Sequence, residues 1–431
     1  MFRKTFVFAT LLFFSNCKNA TSPKINEPEL CHPSNKKQVG PLTHRAVPPH
    51  RDALHVSPHG VDNSTCSMEV PCRDIGHAFQ KSKPGDIVFV EDGIYQPFKI
   101  ENKNGTKAEK ITLFAKGRQA RVRGVGRCSM KDKTCRDAIR VVKSSYLVFD
   151  GIRAEGASRA GIAVELSPHI TIKNGVFGPN GRWGIFTGFT DHIIIEQNET
   201  FGSVFEHGIY VSNSSDNPII RNNLVHRNGG CGIQINADFT VKDTHGHYGG
   251  IVDGLTTDAT ISGNVIYENG VYGGAAINLD GVQHSVVHDN IIFDNLSRGI
   301  VFYGDEDGIE DKSTEDGDGK WGPVGIELFR NIVVMPMGAR HGVLFRLSIG
   351  PNKAYENFLF HKDPKRGAIE FAADKDVNLL NSHHNTINRI AAKSYTETPN
   401  LITMKDWMER GHEKGSTIGK PNAPRVQIDC R

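Results

Sequence analysis

GGAAINLDGVQHSVVHDN, residues 273–290, holds two short runs of alternating apolar residues around a polar corner, and it closes on Asp289-Asn290. No helical period fits it. Alternation of period two is the pattern of a strand with one side on a core. Two strands this short bury too little to stand alone, so the stretch must be one piece of a repeat.

Asparagine leads to that repeat. The pattern Asn-x-apolar-apolar begins at Asn174, Asn264, Asn290, Asn331 and Asn357, with looser copies at Asn198, Asn223 and Asn385 and a first member, DGIR, at Asp150. The steps are 24, 24, 25, 41, 26, 41, 26 and 28 residues. A unit of about 25 residues explains them if each long step carries an inserted loop. A second ladder reads GIAVE from Gly161, GIFTG from Gly184, GIYVS from Gly208, GIQIN from Gly232, AINLD from Ala276 and GIVFY from Gly299. In each, as in Ile209 and Val211, alternate residues point in, while Tyr210 and Ser212 point out. A third ladder, HITIKN, HIIIEQN, ATISGN and SVVHDN, runs into the asparagines.

Each unit is thus a strand, a turn, a strand, a polar corner and a third strand. Stacked units can bury a core that one unit cannot, their backbones pairing coil to coil at about 4.8 Å and their corner amides hydrogen-bonding along the stack. The expected fold is all-β, a parallel β-helix. Its nine corner positions imply about nine or more coils and about 40 Å of solenoid. A leucine-rich solenoid would need leucine at fixed sites, where this chain uses Ile, Val and Phe. A propeller would need about 40 residues per blade.

The ends read differently. Arg3 and Lys4 precede an uncharged apolar run, Phe6 to Phe14, too short to span a bilayer, as in an export signal. The run ends in Phe14-Ser15-Asn16-Cys17, and this arrangement resembles the lipid-attachment site of bacterial lipoproteins. Residues 1–17 are therefore expected to direct export and a lipid anchor, the chain's one contact with a membrane, at the cell surface or in the periplasm. Residues 18–52, polar and Pro-rich, read as a flexible tether. With eight cysteines in an exported chain, disulfides are expected. Cys66 with Cys72 and Cys128 with Cys135 are spaced to staple one loop each, Cys31 with Cys430 would tie the ends, and Cys231 reads as a buried thiol. A net charge of +3 provides no field for nucleic acid. A monomer is expected.

Residues 55–96, HVSPHGVDNSTCSMEVPCRDIGHAFQKSKPGDIVFVEDGIYQ, carry a family likeness. With a helix at about Arg73 to Lys83, then Pro84-Gly85-Asp86 and the corner Gly93-Ile94-Tyr95, they resemble the N-terminal cap of bacterial right-handed parallel β-helix proteins, the pectate-lyase-like superfamily. The repeats at 140–390 and the tail MKDWMERGHEKGS, 404–416, are similar to the same proteins. The resemblance implies a cap with first coils at 53–139, repeats at 140–393 and a tail at 394–431. It also implies a polysaccharide as partner, since the superfamily holds lyases, epimerases, glycoside hydrolases and tailspikes alongside proteins with no demonstrated activity.

Insertions at 237–258 and 304–323 follow the same strand of their coils, so both overhang one side. The floor between them is the outward column Glu165, Gly188, Ser212, Asn236, Asp280 and Tyr303, beside Ala163, Phe186, Tyr210, Gln234, Asn278 and Val301. A lyase or epimerase on a uronate needs a base and a cation, Ca²⁺ or Arg, to neutralise the substrate carboxylate. Lys242, His245 or His207 would be the base, with Asp280 beside it, and Arg221 and Arg298 the cations. Tyr210, Asn236, Asn278, Tyr303 and Trp321 would contact sugar. The second insertion holds eight acidic residues, and Asp305, Asp316 and Asp318 offer oxygens suited to Ca²⁺, without an EF-hand spacing. His245-Gly-His247 lacks a third ligand for zinc. A glycoside hydrolase would need Asp280 paired with Asp238 or Glu165. A non-catalytic β-helix that retains glycan or a protein partner in the groove is the other reading.

Overall fold

The computed structural model describes residues 39–42, 45–48, 52–62, 65–125, 137–237, 253–304, 321–392, 400–413 and 415–418. The chain winds into a solenoid of three long sheets, each of 12 strands. Neighbouring strands come from successive coils and pair in parallel, except the last pair of one sheet, Ile390–Ala392 against Asn400–Ile402, which is antiparallel. Nine strands of one sheet, from Leu147–Asp150 to Leu380–His383, lead into the nine corner residues, and three more precede them.

The opening stretch is one such coil. Ala275–Asp280 is a strand, with Ile277 and Leu279 buried. Gly281 turns the corner at φ +65°. Val286–His288 and Ile291–Phe293 make the other two walls, and Asn290 stands between them.

From Asn198 to Asn385 the corner amides form a continuous chain. Asn264 Nδ2 donates to Asn290 Oδ1 at 2.9 Å, and Asn290 Nδ2 to Asn331 Oδ1 at 2.9 Å. The same contacts join Asn198 to Asn223, Asn223 to Asn264, Asn331 to Asn357 and Asn357 to Asn385. Each amide also takes the backbone N–H of the preceding rung, as Asn290 Oδ1 does from Asn264 at 3.0 Å. Buried backbone groups at a sharp turn are thus satisfied. The ladder closes at one end on a carboxylate, which only accepts: Glu413 takes Asn385 Nδ2 at 3.2 Å. At the other end Asn198 Oδ1 takes the Gly175 N–H at 2.9 Å, while Asn174 Nδ2 turns to Asp150 at 2.8 Å. A second ladder, Asn228 to Asn269 to Asn295, stands at another corner. Its members lie five residues after Asn223, Asn264 and Asn290, a spacing legible in the sequence and missed.

The core is a column of Ile, Val and Phe. Phe302, Phe345 and Phe371 stack at 4.8 and 6.3 Å, and Trp407, fully buried, follows at 5.2 Å. Trp407 belongs to the helix Met404–Glu409 and seals that end. At the other end the helix Ile75–Lys81 starts at Asp74, whose carboxylate takes the His77 N–H at 2.7 Å. It lays Ile75, Ala78 and Phe79 over the first coils. Capping both ends protects apolar surface that a solenoid otherwise leaves open.

Two boundaries shift. Part of the expected tether is docked, because Gly40 N donates to Asn222 O at 2.9 Å and Arg45 pairs with Asp150 at 2.8 Å. Arg45 also lies 4.7 Å over Phe114. A guanidinium answers the Asp150 carboxylate at the first corner, so this segment is held. The first insertion rejoins the coil early, as Thr256–Thr257 pairs in parallel with Val282–Gln283. Cys66 and Cys72 are bridged and Cys231 is buried and free. Cys17, Cys31, Cys128, Cys135 and Cys430 lie outside the described residues.

Candidate functional site

One sheet carries the expected floor. Strand register aligns Glu165, Gly188, Ser212, Asn236, Asp280 and Tyr303, and continues to Arg346. The parallel column aligns Ala163, Phe186, Tyr210, Gln234, Asn278 and Val301, and continues through Leu344 to Glu370. The stems of both insertions meet at the corner after Asp280. A β-carbon on Gly281 would lie 2.7 Å from Ala237 Cβ and 3.8 Å from the Trp321 carbonyl oxygen.

The floor has three sections. The first is aromatic. Trp183 stacks on Phe186 at 4.5 Å, and both lie 5.6 Å from Tyr210. Arg159 covers Phe186 at 5.1 Å and is held by Asp137 at 2.7 Å and Glu165 at 3.1 Å. An apolar ring face beside fixed charges suits a sugar, which offers both hydroxyls and a C–H face.

The second section is polar and mostly buried. Asn278 Nδ2 donates to Gln234 Oε1 at 2.7 Å and to the Tyr303 hydroxyl at 3.2 Å. Burial and then the adjacent Asp280 carboxylate, to which Tyr303 hydrogen-bonds, hold the phenol above its ordinary pKa. Tyr303 is therefore protonated at neutral pH. Burial pushes the Cys231 thiol up to about 11, so it is not a thiolate nucleophile.

The third section is charged. Glu370 is fully buried, takes the Gly367 N–H at 2.7 Å, and lies 3.4 Å from His341 and 3.8 Å from Arg366. Burial lowers the His341 pKa, against the pull of Glu370.

Several expected site residues fall elsewhere. Arg221 lies on a different sheet and pairs with Glu196 at 2.6 Å. An outward strand residue faces only its own sheet's side, so it does not reach the groove. His207 borders the floor, but its Nδ1 takes the Cys231 N–H at 3.0 Å, and burial pushes its pKa down to about 4. Ile209 aligns through Ile233 with Ile277, which puts His207 and Asp280 about 17 Å apart along the strand direction. The two do not converge. Arg298 opens the strand that Tyr303 ends, so it stands at the opposite edge of the floor. The arginine next to Tyr303 is Arg346, one strand on. Its strand, GVLFR, and the next, GAIEF, continue the Gly-initiated ladder, and reading two more rungs would have found Arg346 and Glu370. Glu165 is four strand steps from Asp280, or about 19 Å. A hydrolase pair stands about 5 to 9.5 Å apart, so these two do not form one. Lys242, His245, His247, Asp238, Asp305, Asp316 and Asp318 lie outside the described residues.

Residues 121–245 match the family described as right handed beta helix region. Among solved structures, the lacto-N-biosidase of Eubacterium ramulus superposes with a TM-score of 0.51 at 12% identity, over 79% of this chain and 64% of that one. An alginate lyase from Paenibacillus gives 0.48 at 15% identity, over 74% and 99% of the two chains. Pectate lyase Pel9A gives 0.46 at 14%, over 82% of each. Among curated proteins none matches the sequence. Three parallel sheets built coil by coil around one core, with the family match inside them, make this chain a right-handed parallel β-helix protein.

Proposed function

We propose that the groove holds an acidic, uronate-containing glycan and that the protein is a lyase or epimerase acting beside the substrate carboxylate. The observation that carries this reading is the alignment of Asp280, Tyr303 and Arg346 on adjacent strands where both insertion stems meet. Arg346 would pair with the substrate carboxylate and make the proton on the neighbouring carbon more acidic. A base from the first insertion, Lys242 or His245, takes that proton. The bond from the next carbon to the glycosidic oxygen then breaks, a carbon–carbon double bond forms, and Tyr303 gives its proton to the leaving oxygen. An epimerase returns a proton to the opposite face instead.

Asp305, Asp316 and Asp318 would supply Ca²⁺ if the second insertion also neutralises substrate charge. Export and a lipid anchor at Cys17 belong to the same reading, since they would place the groove where polysaccharide is met. A second reading, retention of glycan without cleavage, is favoured by the ring cluster of Trp183, Phe186 and Tyr210, which is a binding surface with no acid or base of its own.

Incubation with a panel of uronate polymers separates these readings. Growth of ultraviolet absorbance from an unsaturated product is expected on at least one polymer. New reducing ends without unsaturation would move the assignment to hydrolysis. Retention on a glycan array with neither signal would leave a binding β-helix.

A further inference from the structure

A second concave surface lies around the corner from the groove, on another sheet. Its floor is the register column Thr171, Ile194, Ile219 and Thr260, one residue from each of four adjacent strands. Its wall is a column of turn residues. Tyr146 and His169 stack at 4.5 Å, and His169 and His192 at 4.6 Å and 3°. The cavity measures about 620 Å³. It runs along the solenoid axis for about 14 Å, the span of three strand steps.

The two ends of this slot differ in chemistry. Lys107 and Lys110 line one end, and among the described residues neither forms an ion pair. Burial, together with the charges of His192, Lys110 and Lys107, pushes His169 below its ordinary pKa, with Asp191 opposing. Lys107 and Lys110 thus gather positive charge at this end, beside His169, with Asp191 the acid that acts on that ring. Asn217 and Asp258 line the other end and offer hydrogen-bonding oxygens and an amide. Between them the floor sets two Ile side chains, Ile194 and Ile219, between the hydroxyls of Thr171 and Thr260. A cationic end, a hydroxyl-binding end and a partly apolar floor together describe the needs of one ligand type.

We infer that this slot binds an acidic saccharide, with its carboxylate at Lys107 and Lys110 and its hydroxyls at Asn217 and Asp258. The site stands apart from the groove and does not depend on any chemistry there. Such a site would hold an acidic chain against the solenoid and raise the local concentration of chain at the groove.

Histidine ring NMR signals of the full chain test this directly. The probe is glucuronate, a monosaccharide with no glycosidic bond to cleave, with glucose as the neutral control and sulfate as the bare anion. Glucuronate is expected to move the His169 and His192 signals and raise the His169 pKa, because an anion favours the charged ring. His207 reports the groove separately. The Lys107→Ala/Lys110→Ala variant, changed only at exposed positions, should bind about tenfold more weakly, as for the loss of one charge-assisted contact. The inference fails if glucose shifts the rings as glucuronate does, if sulfate matches glucuronate in affinity, or if the double variant binds unchanged.

Discussion

Asp280 and Tyr303 share one register position on adjacent parallel strands, and the phenol hydrogen-bonds the carboxylate. A neutral acid is thereby held at the place where both insertions leave the solenoid. If elimination runs here, Tyr303→Phe removes the proton donor. A fall in kcat of about 10² to 10⁴ is expected, with KM nearly unchanged and the melting temperature kept. Because the Tyr303 pKa is raised, the alkaline limb of the wild-type rate should not fall at or below an ordinary tyrosine pKa. Steady-state rates on the responsive polymer across pH check both statements.

Arg346→Ala should act on the substrate instead. Loss of the cation that faces a substrate carboxylate raises KM and lowers kcat/KM, and Arg346→Lys restores part of it, since a point charge replaces only some of a planar fork. Equal kinetics for all three proteins would place the carboxylate elsewhere.

Gly281→Ala probes the meeting of the insertions. Its φ is +65°, and a β-carbon there would meet Ala237 Cβ at 2.7 Å. Strain of about 1 to 3 kcal/mol is expected, together with a loss of groove binding larger than that stability change explains. Denaturant unfolding and glycan binding on the same variant give the comparison.

Asn290→Ala breaks the ladder at an interior rung. The Asn264 backbone N–H and Nδ2 lose their common acceptor, and the Ile261 and Asn331 carbonyl oxygens lose the amide donor. Buried groups left unsatisfied cost about 1 to 3 kcal/mol each. A destabilisation of about 2 to 4 kcal/mol is expected from the urea midpoint. A loss below about 0.5 kcal/mol would mean that water refills the rung.

One surface pair should resist acid until the pH is low. Hydrogen bonds from Arg330, at 3.0 and 2.9 Å, and then from His288 hold the Asp289 pKa down at about 2, with burial opposing. A depressed folded pKa stabilises above the unfolded value, near 3.8, and that stabilisation is lost as pH falls through about 2. Arg330→Gln should return Asp289 toward its ordinary value and move the acid-unfolding midpoint upward. Carboxyl NMR titration follows the residue itself.

The sequence by itself determined the repeat. Asn264, Asn290 and Asn331 could be read because a turn amide that must satisfy the same backbone groups in every coil leaves the same residue at the same spacing. The floor from Glu165 to Tyr303 followed from period-two alternation, since a strand side chain has only two sides to face. The tertiary structure decided what no local pattern encodes. Arg221 and Arg298 look alike in sequence, yet the solenoid puts one on another wall, paired with Glu196, and the other at the far edge of the floor. Arg346, unnoticed in a further rung, arrives beside Tyr303 because strand pairing brings together residues 43 apart. Arg45, far away in sequence, reaches Asp150 at the first corner and pairs with its carboxylate beside Asn174. Repeats are written by contacts that recur in every coil. A site is written by contacts that occur once, and those depend on where the coils place each side chain.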